Sequence, residues 1–129
     1  MTVKNFDSWN SRKKYLESSR KPLLKFHARD IWWCTYGVNL GSEQDGSGGK
    51  FERPCVILKK LSPTTAIILP LSTKKKLEIF QVSIVFGNKE GYVLLDQVRV
   101  VDTKRLLRKM GYVDKVIFEI IRSKLKELL

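Results

Sequence analysis

Residues 30–60 read DIWWCTYGVNLGSEQDGSGGKFERPCVILKK, two apolar runs on either side of a glycine-rich stretch. The runs, Asp30 to Tyr36 and Pro54 to Lys60, are strand-sized and rich in Ile, Val, Leu, Cys and aromatic residues, which predicts a pair of β-strands. The stretch between them, GSEQDGSGGKFERP at 41–54, has the composition of a flexible hairpin connection. It nevertheless carries Glu43, Gln44, Glu52 and Arg53, groups able to move protons and bind charge.

Working outward, three further runs are strand-like: Thr65 to Leu71, Ile79 to Phe86, and Tyr92 to Val101. FGNKEGY at 86–92 supplies hairpin turn residues through Gly87, Asn88 and Gly91. Strands this close, with turn signals between them, predict a mainly β protein built as a small antiparallel barrel or half-barrel. Helical signals stand at both ends. Residues 5–17 place Phe6, Trp9 and Leu16 on one side of a short helix, and Pro22 follows the break. Asp102 or Thr103 can cap a helix over TKRLLRKM (103–110), with Gly111 placed to end it. Beyond it Val113, Val116, Ile117, Ile120, Ile121, Leu125 and Leu128 recur at steps of three and four, the apolar stripe of a helix packed on the core.

A chain of 129 residues with 43% hydrophobic residues suits one compact domain. Its apolar runs fall far short of the roughly 20 residues that cross a bilayer, and MTVKNFDSWNSRKKYLE holds no apolar secretory core. A cytoplasmic, membrane-free protein is expected. Cys34 and Cys55, each inside an apolar run, read as buried reduced thiols. The net charge of +12 is uneven: residues 1–29 hold eight Lys/Arg against two acids, residues 104–129 eight against three, and the middle is close to neutral. Two basic ends around a neutral core are the footprint of a phosphate-rich or carboxylate-rich partner, the bland alternative being a solubilising surface. Residues 1–28 are expected to form a basic helical extension and residues 29–129 the barrel with its C-terminal helix.

Several sites can be struck out. Gly48, Gly49 and Lys50 suggest a phosphate loop, but Gln44 stands where the first glycine belongs and Phe51 where Ser or Thr is needed. His27 is the sole histidine, so neither a His-based metal site nor a His pair for acid/base chemistry can be built within one chain. No Gly-x-Ser-x-Gly is present. What remains are the polar groups of the glycine-rich stretch and of strand ends. Ser72 and Thr73 follow AIILPL and precede Lys74, Lys75 and Lys76. Gln97 and Arg99 alternate with Val98 and Val100, so a continuous strand puts them on one face.

The segments RDIWWCTYGVNLGSEQDG with FERPCVIL, then TAIILPLST, then YVLLDQVRVVDTKRLLRKMG, resemble the MazF/PemK toxins of bacterial toxin–antitoxin systems over roughly residues 29–112. The resemblance implies a small SH3-like barrel (CcdB/PemK-like), a homodimer, and an endoribonuclease that cuts single-stranded RNA with no metal or other cofactor. It also implies a cognate antitoxin whose acidic tail occupies the RNA groove. Carried over by position, Arg53 of the Arg-Pro pair is catalytic, Glu43 of Gly41 to Gln44 belongs to the active or RNA-binding region, and Ser72, with Thr73 beside it, stands where the family has a catalytic threonine. The Leu-Leu-Asp-Gln-x-Arg signature falls on Leu94 to Arg99. Gln44, Lys50, Thr73, Lys74, Lys75, Gln97 and Arg99 are then the expected RNA contacts. The long segment before Arg29, the long loop from Gln44 to Arg53 and Ser72 itself depart from the family pattern; the basic first helix can serve RNA, a partner chain or the antitoxin.

The residue chemistry points the same way. RNA can be cut through its own 2′-hydroxyl if a base accepts that proton, a cation steadies the charge at phosphorus and a donor reaches the leaving 5′-oxygen. Arginine's planar fork matches phosphate oxygens, a hydroxyl can donate to the same phosphate, and a glutamate can position the 2′-hydroxyl or take its proton. Two other readings survive: a non-catalytic module binding RNA or antitoxin, and a gyrase-inhibiting toxin of related fold. The latter depends on a C-terminal tryptophan segment, whereas this chain ends KLKELL.

Overall fold

The computed structural model describes residues 5–18, 24–37, 52–75 and 77–129. Their chain order is α1 (Phe6–Ser18), β1 (Asp30–Thr35), β2 (Glu52–Ser62), β3 (Thr65–Ser72), β4 (Gln81–Phe86), β5 (Lys89–Leu94), β6 (Arg99–Asp102), β7 (Leu106–Tyr112) and α2 (Lys115–Leu128). All strand pairs are antiparallel. The sheet order is β4-β5-β3-β2-β1-β7, with β6 also laid against β3. The path ends at β4 and β7 without pairing them, so the expected barrel is an open sheet rather than a closed one.

Period-two alternation sends the two faces of this sheet into two cores. Ile31 of β1, Val56 of β2, Leu69 of β3 and Val93 of β5 enter one, which α2 covers with Phe118, Ile121 and Leu125. Trp32, Cys34, Cys55, Ile57, Ile68 and Leu106 enter the other, closed by Phe26. Each fully buried aliphatic side chain contributes about 1.5–3 kcal/mol, so the sheet is held from both sides. Cys34 and Cys55 are buried free thiols. Asp114 caps α2, its Oδ1 accepting from Val116 N–H at 2.8 Å. Only part of the apolar stripe read from the sequence is covered: Val116 and Ile120 face outward, while Phe118 takes a core position.

Asp30 opens β1 as a buried carboxylate. Its Oδ2 accepts from His27 N–H at 2.9 Å and from Trp32 Nε1–H at 3.3 Å, and Lys109 Nζ lies 3.2 Å from Oδ1. These partners supply the hydrogen bonds and the countercharge that a buried carboxylate needs, and they tie the start of β1 to β7.

Two expectations need correction. TKRLLRKM is not a helix: Asp102 does cap Lys104 N–H, at 2.8 Å, but it caps a single 3₁₀ turn over Thr103–Arg105. Leu106–Tyr112 then pairs with β1, as Trp33 with Arg108 and Cys34 with Leu106. The hydrogen bonds and burial offered by the edge of β1 outweigh the local helix propensity. Nor is 92–101 one strand. A 3₁₀ turn at Leu95–Gln97 divides β5 from β6, so Gln97 and Arg99 do not alternate along a common face. The hairpin expected at 86–92 forms, with Gly87 at φ +59°, the positive φ that a II′ turn asks of its first central residue.

Candidate functional site

Arg53 stands two residues before Cys55 in β2 and Ser72 two residues after Pro70 in β3, and Cys55 pairs with Pro70, so Arg53 and Ser72 lie at the same end of the two strands. Residues far apart in the chain are thereby made neighbours by backbone pairing alone. Arg53 Nη1 donates to the Leu71 carbonyl at 2.9 Å, which anchors the guanidinium over the end of β3. Ser72 is 7% exposed, and its Oγ accepts from Lys74 N–H at 3.1 Å. An accepting serine keeps its own proton available to donate. The turn after Ser72 is held from below: Gln81 Nε2 donates to the Lys74 carbonyl at 3.1 Å, and Lys124 Nζ of α2 donates to the Gln81 carbonyl at 3.1 Å.

These groups face a cavity of about 1110 Å³. Arg53, Ser72, Thr73 and Lys74 line one part of it; Trp33 and Tyr112 line another, and the β4–β5 turn with Lys89 closes a third. The described residues lining it include Arg and Lys but no Asp or Glu. Both aromatic rings carry a stacked cation, Arg108 at 5.1 Å from the Trp33 centroid and Arg29 at 5.5 Å from that of Tyr112. Arg108 is paired with Glu52 at 3.7 Å, and Arg29 Nε donates to the Val113 carbonyl at 2.9 Å. A cationic hollow with aromatic walls is suited to phosphates joined to flat bases.

Of the residues singled out in the sequence, Arg53, Ser72, Thr73 and Lys74 therefore share this cavity. Lys75 is exposed and borders a neighbouring depression of about 400 Å³ with Gln81, Tyr92 and Lys124. Gln97 sits in the 3₁₀ turn after β5 and Arg99 in β6, and neither lines the Arg53 cavity. Glu43, Gln44 and Lys50 lie outside the described residues. Trp33, Tyr112 and Gln81 were not read as site residues. Trp33 was detectable as the residue sharing Ile31's side of β1, and Gln81 as the polar residue heading an apolar strand.

Arg99 belongs instead to a second cationic group at the end of β1. Its guanidinium stacks 4.7 Å from the Tyr36 ring centroid and donates to the Tyr36 carbonyl at 3.4 Å. Arg105 Nη1 donates to the carbonyls of Thr35, at 3.3 Å, and Tyr36, at 3.4 Å. Burial, and next the proximity of Cys55, push the Tyr36 hydroxyl up to about 12 against the opposing pull of Arg99 and Arg53. Burial, reinforced by Cys34, likewise raises the Cys55 thiol well above its ordinary value, so Cys55 is not poised as a nucleophile near neutral pH. Because native Tyr36 keeps its proton where the unfolded chain loses it, stability should fall as pH rises from about 10 to about 12. Tyr36→Phe is expected to flatten that alkaline decline in urea unfolding midpoints; an unchanged decline would place its cause elsewhere.

Among the described residues no group of three or more His, Cys, Asp or Glu is arranged to hold a metal ion, and no helix is long and apolar enough to cross a membrane.

An open antiparallel sheet with a cationic, aromatic-walled cavity at the β2 and β3 ends defines a class, and comparison identifies it. Residues 27–129 match the model of the PemK-like, MazF-like toxins of type II toxin–antitoxin systems, and the chain belongs to that family. Solved structures agree on the fold. MazF (Form-I) from Deinococcus radiodurans is 23% identical with TM-score 0.67, the match covering 80% of this chain and 94% of that one. A MazE–MazF structure (Form-II) from the same organism is 19% identical with TM-score 0.62, covering 80% and 93%. An endoribonuclease in complex with its cognate antitoxin from a mycobacterial species is 16% identical with TM-score 0.60, again covering 80% and 93%. No curated protein matches the sequence significantly.

Proposed function

We propose that this toxin is an endoribonuclease that cleaves single-stranded RNA selectively, without a metal ion, and is neutralised by a cognate antitoxin. The observation that carries the reading is the convergence of Arg53 and Ser72 on one cationic cavity, with Lys74 and Thr73 beside them. In this reading the scissile phosphate sits against Arg53, whose N–H groups neutralise the charge that builds on the non-bridging oxygens. Ser72 donates a hydrogen bond to the same phosphate, and Trp33 and Tyr112 offer faces to the flanking bases. Glu43 is assigned the 2′-hydroxyl proton. The 2′-oxygen forms its bond to phosphorus, the bond to the 5′-oxygen breaks, and that oxygen gains a proton. The products are a 2′,3′-cyclic phosphate and a 5′-hydroxyl end. Gln44, Lys50, Lys75, Gln97 and Arg99 stay assigned to RNA contact, the last two from outside the cleavage cavity.

The antitoxin is supported by the family and by the antitoxin-bound relatives of the same fold. A homodimer working in the cytosol, built from the barrel-like domain of residues 29–129 with a basic helical extension over residues 1–28, completes the proposal.

The test is cleavage in EDTA of a long RNA and of the all-DNA strand of matched sequence. Discrete RNA cuts with 5′-hydroxyl ends and an intact DNA are expected, because DNA lacks the attacking group. Efficient cutting of the DNA would sink the mechanism, and intact RNA across varied sequences would favour a binding module or a gyrase inhibitor.

A further inference from the structure

The fold brings the two basic ends of the sequence together. α1 rests on the 3₁₀ turn at Thr103–Arg105 through Trp9 and Leu16, which are 5% exposed each and form a small cluster apart from the two cores. Arg105 stacks on the Trp9 indole at 5.3 Å, and Lys104 Nζ donates to the Glu17 carbonyl at 3.0 Å. Between helix and turn runs a cleft of about 400 Å³ lined by Lys13, Lys14, Lys104 and Arg105, with Glu17 and Asp102 as its only described acids. Both acids are exposed but have partners within the chain. Glu17 lies 3.9 Å from Lys104 Nζ, and Asp102 Oδ1 accepts from Lys104 N–H. Lys13 and Lys14 remain exposed at the rim.

We propose that this α1 seam is a second RNA-binding surface, holding the phosphate backbone of the strand that runs on from the cleavage cavity. The inference rests on the proposed RNA substrate and extends it to residues N-terminal to the matched family region. Position favours it. Cys34 of β1 pairs with Arg53 on one side and with Leu106 on the other, so the seam begins about two strand spacings, roughly 10 Å, from the strand carrying Arg53. Chemistry favours RNA over an acidic peptide: Tyr15 is 61% exposed with Arg12 stacked on it at 5.3 Å, so the helix interleaves cations with an aromatic face on which a base can stack. Burial, with Arg99 close by, pushes the Arg105 guanidinium below its ordinary value, and an anion in the seam relieves that repulsion.

The experiment measures binding of a labelled single-stranded RNA of about 40 nucleotides across a salt series. It uses the full chain carrying Arg53→Ala, with and without Lys13→Gln and Lys14→Gln. Two lost phosphate contacts should lower the slope of log affinity against log salt by about 1.4 and weaken binding about tenfold at low salt. Lys13→Arg with Lys14→Arg should keep the slope. Equal slopes with and without the two glutamines, or no RNA binding at all, overturn the proposal. So does a glutamine effect confined to a polyglutamate peptide, which would assign the seam to an acidic protein partner. The readout is binding by a variant in which cleavage is removed, so a failure here leaves the nuclease reading standing. RNA bound but left uncut by the protein with Arg53 in place would sink the nuclease reading alone.

Discussion

Arg53→Ala is expected to lower the rate of RNA cleavage on the order of 10²–10³-fold, the usual loss when one well-placed donor to a developing oxyanion is removed. The fold should survive. Arg53 is only half-buried, and the bond its side chain gives to the Leu71 carbonyl closes no strand pairing, so the cost in stability should be about 1 kcal/mol. Arg53→Lys separates charge from shape. A lysine keeps the positive charge but not the planar fork, so it should recover only part of the rate. Ser72→Ala should cost less than Arg53→Ala, because it removes a neutral donor rather than a charged one. The check is single-turnover cleavage of one RNA by all four proteins, beside their unfolding midpoints. A folded Arg53→Ala protein that cuts at the parental rate would remove Arg53 from the chemistry and with it the reading of the cavity.

That the pair Arg53 and Ser72 was visible in the sequence follows from physics that is local. Each stands at the end of a run whose alternation fixes strand and face, and the antiparallel pairing of adjacent runs puts strand ends together. Lys74 and Thr73 follow from the same connection. Gln97 and Arg99 show where this reasoning fails. Their alternation with valines is genuine in the sequence, yet a 3₁₀ turn interrupts the strand, and nothing in a period-two pattern signals that interruption. The segment 103–110 fails for a related reason. Its cap at Asp102 is real, but pairing with β1 decides the conformation beyond the first turn. Trp33 and Tyr112 come from opposite ends of the chain, and only the β1–β7 pairing makes them walls of one cavity. Glu43, Gln44 and Lys50, which the glycine-rich stretch brought forward first, lie outside the described residues and rest on sequence alone.

Gly37→Ala is expected to produce the largest loss of stability among small substitutions, about 2–5 kcal/mol, from two separable causes. The first is the backbone: Gly37 holds φ +91°, a conformation that costs any residue with a Cβ about 1–2 kcal/mol. The second is space, since a Cβ built on Gly37 falls inside the indole of Trp9. A double-mutant cycle tells them apart. With Trp9→Ala already in place the ring is gone, and Gly37→Ala should then cost only the backbone term, leaving a coupling of about 1–3 kcal/mol between two residues 28 positions apart in the sequence. Strictly additive costs would mean that the indole does not lie against Gly37, and would detach α1 from the end of β1. Release of the helix is one way for the chain to escape the clash. In that case the measured loss is capped at what docking Trp9 and Leu16 contributes, and trypsin should cut Gly37→Ala faster than the parent at Lys13 and Lys14. Release would also dismantle the basic seam, because two of its four cations ride on the helix. The same substitution should therefore reduce the salt dependence of RNA binding as Lys13→Gln and Lys14→Gln do, without touching a charged residue.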